Sequence, residues 1–109
     1  MELAIQQLSE VAAQFPTASI VHTFLARMLS KEGLHDRAIE RGQDAVRLSP
    51  KSEIASLALF LALWKAGHRD AALDEMKRYM AIGKSKEYSR LIKEFRRIMD
   101  EEDEKENAG

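Results

Sequence analysis

The densest run of apolar positions is IASLALFLALW, residues 54–64, in which ten of eleven residues are apolar and the exception is the small Ser56. On a helix of this composition apolar side chains point to every side, so every face needs cover. Eleven residues rise only about 16 Å, roughly half a bilayer core, so the run reads as a central core helix and not as a membrane span. Around it the pattern repeats. Pro16 and Pro50 are 34 residues apart, as are Gly33 and Gly67, and Asp36 and Asp70, while Ala4, Ala38 and Ala72 step by 34 twice. Each recurrence has a mechanical meaning. Proline stops a helix, glycine takes the left-handed geometry that ends one, aspartate can cap the next, and alanine lets two helices approach closely.

Between these marks the spacing predicts six helices, over about 2–14, 18–32, 37–48, 53–66, 71–82 and 86–101. Thr17, Asp36, Ser52, Asp70 and Ser85 are the candidate N-caps, and Gly33, Gly67 and Gly83 the stops. No strand-like alternation occurs, so the fold class is all-α. Loops of a few residues make consecutive helices antiparallel neighbours. The organisation expected is one domain over 1–102: a half repeat at 1–18, full repeats at 19–52 and 53–86, and a capping helix at 86–101. Residues 103–109, nearly free of apolar side chains, are expected to form a disordered acidic tail.

A 34-residue helix–turn–helix unit resembles the tetratricopeptide repeat (TPR). In 19–52, Leu25, Ala26, Gly33, Ala38, Ala45 and Pro50 stand in that family's Leu, small, Gly, Ala, Ala and Pro slots. Leu29 fills a slot usually held by Tyr, His22 one where Trp is common, and Gly42 one where an aromatic is common. In 53–86, Leu59, Gly67 and Ala72 match, with Leu63 and Met76 as apolar stand-ins. Phe60 and Tyr79 occupy slots that are usually small, and Lys84 replaces Pro. Residues 1–18 look like the second helix of a preceding unit, with Ala4, Leu8, Val11 and Pro16 in place. Since the second helix of one unit packs on the first helix of the next, Phe60 is expected to lie over Gly42 and fill the hollow there.

The resemblance implies a concave groove lined by the first helix of each unit, where a protein or peptide partner lies. The groove slots would be Ile20, Thr23, Arg27, Ser30 and Lys31 from the second helix, and Ile54, Leu57, Leu61, Trp64 and Lys65 from the fourth. The spacing 54, 57, 61, 64 is one clean helical stripe. It is separate from the face of Ala55, Leu59, Ala62, Leu63 and Ala66, which should meet the third and fifth helices. The second stripe needs cover from a partner, from a second copy of the chain, or from the sixth helix. One branch of the family clamps acidic tails with Lys, Arg and Asn; the single asparagine here, Asn107, gives no reason to carry that clamp over.

Composition narrows the function class. The chain has 109 residues, 45% hydrophobic and 32% charged, which fits a soluble globular domain, and its net charge of -1 gives no global pull toward nucleic acid or an anionic membrane. There is no cysteine, hence no disulfide frame, thiolate zinc site or thiol nucleophile. No secretory signal pattern opens the sequence, and a cytoplasmic location is expected. His22, His35 and His68 show no metal-ligand spacing, and the glycines are isolated helix stops and not a phosphate loop. The expectation is a non-enzymatic protein–protein interaction module without cofactor or metal. The alternative is a self-association module forming a homodimer. Nucleic acid is a distant third: residues 84–97 hold six Lys or Arg against two Glu, but residues 100–106 bring six acids against one Lys. Met28, Met76, Met80 and Met99 fall at helical spacing and read as core filler.

Overall fold

A computed structural model describes residues 2–108. Among them the chain forms six helices: α1 (Glu2–Gln14), α2 (Ser19–Lys31), α3 (His35–Leu48), α4 (Glu53–Lys65), α5 (Arg69–Met80) and α6 (Lys86–Ala108). They build an antiparallel helix–turn–helix repeat stack. Each of α1 to α4 packs on the helix that follows it, and α2 also packs on α4. The molecule is elongated, 57 × 30 × 18 Å. Among the described residues no helix is long and apolar enough to cross a membrane.

The 34-residue period is visible in how helices end. Gly33 and Gly67 have φ of 77° and 88°, in the left-handed region. At both, the N–H of the residue after the glycine reaches back into the last turn, Leu34 N–H to the Leu29 carbonyl and His68 N–H to the Leu63 carbonyl, each at 2.9 Å. The glycine N–H bonds the carbonyl three residues earlier, Ser30 in one case and Trp64 in the other. These are two copies of one Schellman stop, which satisfies carbonyls the helix leaves orphaned.

Starts follow the sequence less closely. Ser52 caps α4, accepting from Ala55 N–H at 3.2 Å, and Ser85 does the same for Tyr88 N–H at 3.0 Å. Asp36 and Asp70 do not cap. α3 and α5 begin before them, and both aspartates sit in the first turn, where a negative charge favours the helix dipole. Thr17 does not cap either, since Ala18 occupies that position of α2. α5 ends at Met80, before Gly83. That glycine instead makes room for Tyr79, whose hydroxyl would lie 3.2 Å from a Cβ at residue 83.

The alanines form the tight seams. Ala26, Ala38, Ala45, Ala62 and Ala72 are wholly buried. Two apolar clusters fill the stack, one around Leu25, Leu29 and Ile5, the other around Phe60, Met76, Tyr79 and Tyr88. Met76 belongs to the second, whereas Met99 is exposed.

Two expectations are corrected here. The residue over Gly42 is Leu59, not Phe60: a Cβ on Gly42 would stand 3.0 Å from the Leu59 Cα and 3.2 Å from its Cβ. Residues 59 and 60 are about 100° apart around α4, and Phe60 is turned to α6, its ring 5.5 Å from that of Tyr88 in an edge-to-face arrangement. The segment from residue 103 is not a disordered tail; α6 carries it as helix to Ala108, and only its last residue, Gly109, lies outside the described residues. No Pro or Gly interrupts 86–108, Glu and Lys are good helix formers, and Arg97 pairs with Glu101 one turn on, at 2.6 Å.

Candidate functional site

Helix α4 divides its apolar surface between two duties. Ala55, Leu59, Ala62 and Leu63 are buried in the stack. The other stripe floors a groove of about 530 Å³, lined by Ile54, Leu57, Ala58, Phe60, Leu61 and Trp64, with Arg27 across from it on α2 and Glu87, Leu91 and Phe95 on α6. α6 therefore covers one flank of the stripe only. Leu57 and Trp64 are half-buried, while Ile54 and Leu61 keep 51% and 42% of their surface in solvent. The groove is open to solvent along Ile54 and Leu61.

The remaining expected groove residues divide. Arg27 reaches the groove. Lys31 and Lys65 are exposed and stand one turn beyond Arg27 and Leu61 on the same helix faces, past the lining. Thr23 does not belong to the site. It is 2% exposed, and its hydroxyl donates to the Ser19 carbonyl at 3.0 Å. Ser30 is buried as well. The open face of α2 runs through Ile20, Phe24, Arg27 and Lys31. Ile20 and Phe24 are each half exposed. Phe24 at i+4 and Thr23 at i+3 from Ile20 fit a helical stripe equally well, and burial separates them: Phe24 is open and Thr23 is turned into the stack.

What positions α6 is a set of large side chains, not a close backbone seam. Phe60, Trp64 and Phe95 stack in sequence, with ring centres 5.8 Å and 5.2 Å apart, and Arg69 lies over Trp64 at 4.9 Å. Tyr88 packs against Phe60 and Tyr79. Because Tyr88 meets the start of α4 and Phe95 its end, α6 runs parallel to α4 and forms the groove's second wall. Phe60 and Tyr79 supply the bulk that bridges the gap to α6.

A buried polar chain fixes the same junction. Ser56 Oγ donates to Glu75 Oε2 at 2.7 Å and lies 2.8 Å from the Tyr88 hydroxyl. With the single serine proton committed to the carboxylate, Tyr88 is the donor to Ser56. Arg78 closes the chain, giving Nε and Nη2 to the two Glu75 oxygens at 2.8 and 2.7 Å and Nη1 to the Pro50 carbonyl at 2.9 Å. The Glu75 hydrogen bonds and charge raise the Arg78 pKa further. Burial pushes the Tyr88 hydroxyl from 10.0 up to about 12, and the Glu75 charge beside it adds to the shift.

That shift predicts a pH dependence. Between pH 10 and about 12 the unfolded chain loses the Tyr88 proton and the folded chain keeps it, so the contribution is complete below 10 and declines as pH rises through that window. Thermal melts across this range should show a falling midpoint. Tyr88→Phe should remove the part of the decline that tyrosinate formation causes; an unchanged slope would mean the hydroxyl is not held in this way.

A second, wider depression of about 970 Å³ lies at the turn into α6, lined by Lys84, Lys86, Arg90 and Lys93 together with Glu53, Glu87 and Met80. Glu87 borders both hollows. Along α6, Arg90 pairs with Glu87, and Arg97 with Glu94 and Glu101. Among the described residues no group of His, Cys, Asp and Glu could hold a metal ion. His22 is buried in a structural role, Nε2 2.9 Å from the Pro16 carbonyl and Nδ1 3.2 Å from Arg41 Nη1. Compared with known proteins, the chain matches no family model and none of the curated sequences.

Proposed function

We propose that the chain is a non-enzymatic interaction module of the tetratricopeptide type, working in the cytoplasm and holding a helical or extended protein segment in the groove between α4 and α6. The observation that carries this reading is the open apolar stripe on α4. Ile54 and Leu61 are half exposed on a concave surface whose other walls are already built. A groove of about 530 Å³ takes a few apolar anchors at i, i+3 and i+4 spacing. Arg27 stands at its rim, with Lys31, Lys65 and Arg69 beyond it, which favours acidic residues beside those anchors. Neither nucleic acid nor a membrane enters this reading, nor does a cofactor.

The test uses the chain's only tryptophan, Trp64, which sits in the groove wall and reports on it by fluorescence. A displayed library of amphipathic helices, selected on the immobilised protein, should return ligands that change Trp64 emission. Leu61→Glu should weaken them by at least about tenfold, because an apolar anchor is lost and a charge is buried. Its melting curve should match the parent, since Leu61 is 42% exposed. Ligands that bind Leu61→Glu as well as the parent would sink the reading. Trp64→Ala is a poorer probe, because Trp64 also holds Phe95 and hence α6.

A further inference from the structure

α6 is longer than the stack beneath it. Phe95 stacks on Trp64, which stands one residue from the end of α4, so the helix beyond Phe95 has no α4 below it. The stripe of Leu91, Phe95 and Ile98 runs on regardless, and Ile98 and Met99 leave 38% and 59% of their surface in solvent. Directly after them come Asp100, Glu101, Glu102, Asp103 and Glu104. The projecting half of α6 thus opens on Arg96 and Arg97, the latter paired with Glu101. It continues as an apolar and then acidic helix with no α4 beneath it, and Glu102, Asp103 and Glu104 are the carboxylates left to meet a partner.

The same molecule carries the complement in the matching order. The apolar groove has an open floor at Ile54, Leu57 and Leu61, and beyond Glu87 it adjoins the depression that holds Lys84, Lys86, Arg90 and Lys93. Of the two carboxylates facing that depression, Glu53 and Glu87, the second is already engaged by Arg90. A helix laid in the groove antiparallel to α6 sets its apolar residues over the floor and its C-terminal residues near the basic depression. A two-fold axis perpendicular to α6 sets the α6 helices of two copies side by side in this antiparallel orientation. We infer that the groove's occupant is the projecting half of α6 from a second copy of this chain. The result is a symmetric dimer in which Ile98 and Met99 of each protomer cover the other's groove and the acidic run meets the basic start of the other's α6. The inference rests on the groove reading above and names its occupant. The exposed Leu3, Val11 and Phe15 at the N-terminal end of the stack offer a competing apolar surface.

Sedimentation of the full chain from micromolar to millimolar concentration tests this. A reversible monomer–dimer equilibrium that weakens with added salt is expected. Ile98→Lys combined with Met99→Lys should raise the dissociation constant by at least about tenfold, with the melt unchanged at concentrations where the parent is monomeric. Glu102→Lys with Asp103→Lys should weaken the dimer too, and adding Lys84→Glu with Lys86→Glu to that chain should restore it. A chain that stays monomeric throughout overturns the inference, as does a dimer lost on Phe15→Glu but indifferent to the α6 changes. The library selection, repeated on the Ile98→Lys, Met99→Lys chain, keeps the two readings apart. Leu61-dependent ligands on a monomeric parent would leave the groove reading standing and remove only the second copy.

Discussion

Replacing Arg78 by alanine is expected to lower the folding stability by about 2–4 kcal/mol, below the range for breaking a fully buried pair because the arginine side chain is 34% exposed. The loss arises at Glu75, which is 8% exposed and keeps only the Ser56 hydroxyl once the two guanidinium bonds are gone. An uncompensated carboxylate in that position is costly. The Pro50 carbonyl loses its partner as well, which loosens the turn between α3 and α4. Arg78→Lys should recover only part of the stability, since an ammonium cannot span both carboxylate oxygens and the carbonyl in one geometry. Adding Glu75→Gln to Arg78→Ala should recover more, because it removes the stranded charge. Urea denaturation of the four chains decides it. Equal losses with and without Glu75→Gln would show that the carboxylate is not the source.

The parts of this fold legible in the sequence are those set by local chemistry. Gly33 and Gly67 stop α2 and α4 through the same pair of bonds because the left-handed residue is needed at the same place in each unit. The all-round apolar composition of 54–64 demands cover on every side of α4, and it comes from α2, α3 and α5 and, on part of the remaining face, from α6. Long-range choices are not legible. Gly42 marks a close approach, but whether residue 59 or 60 makes it depends on where α6 sits, and no pattern within α4 encodes that. Phe60 answers Tyr88, 28 residues further on. The polar chain of Ser56, Glu75, Arg78 and Tyr88 draws on three helices. Glu75 and Arg78 look like surface residues when α5 is read alone, Glu75 as half of a solvated acidic pair with Asp74. Thr23 falls in the groove by repeat slot and by helical spacing alike, and only the packing of α2 turns it into the stack. The reach of α6 past residue 101 hides behind a polar composition that suggests disorder, although its residues favour helix and pair at i, i+4.

Gly42→Leu is expected to cost about 3 kcal/mol or more, the upper end of what overpacking a tight seam brings. The first atom added already meets backbone. A Cβ at residue 42 stands 3.0 Å from the Leu59 Cα and 3.2 Å from the Leu59 Cβ and Cδ1, and backbone in mid-helix cannot swing aside as a side-chain tip can. α3 and α4 must move apart, which opens the seam at Ala38 and Ala45, both wholly buried. Gly42→Ala sets two effects against each other. Helix propensity favours alanine by about 1 kcal/mol, and the crowding opposes it by about 1–3 kcal/mol. The net expectation is a loss of roughly 0–2 kcal/mol, where an open helical site would show a gain. Leu59→Ala should be coupled to Gly42→Ala by more than about 0.5 kcal/mol, since it removes the Cδ1 methyl from the new Cβ. The relief is partial, because the backbone of residue 59 stays where it is. Phe60→Ala, which faces α6, should show no such coupling. A Gly42→Ala chain more stable than its parent would mean that α3 and α4 do not approach this closely, and coupling to Phe60 in place of Leu59 would turn α4 about its axis.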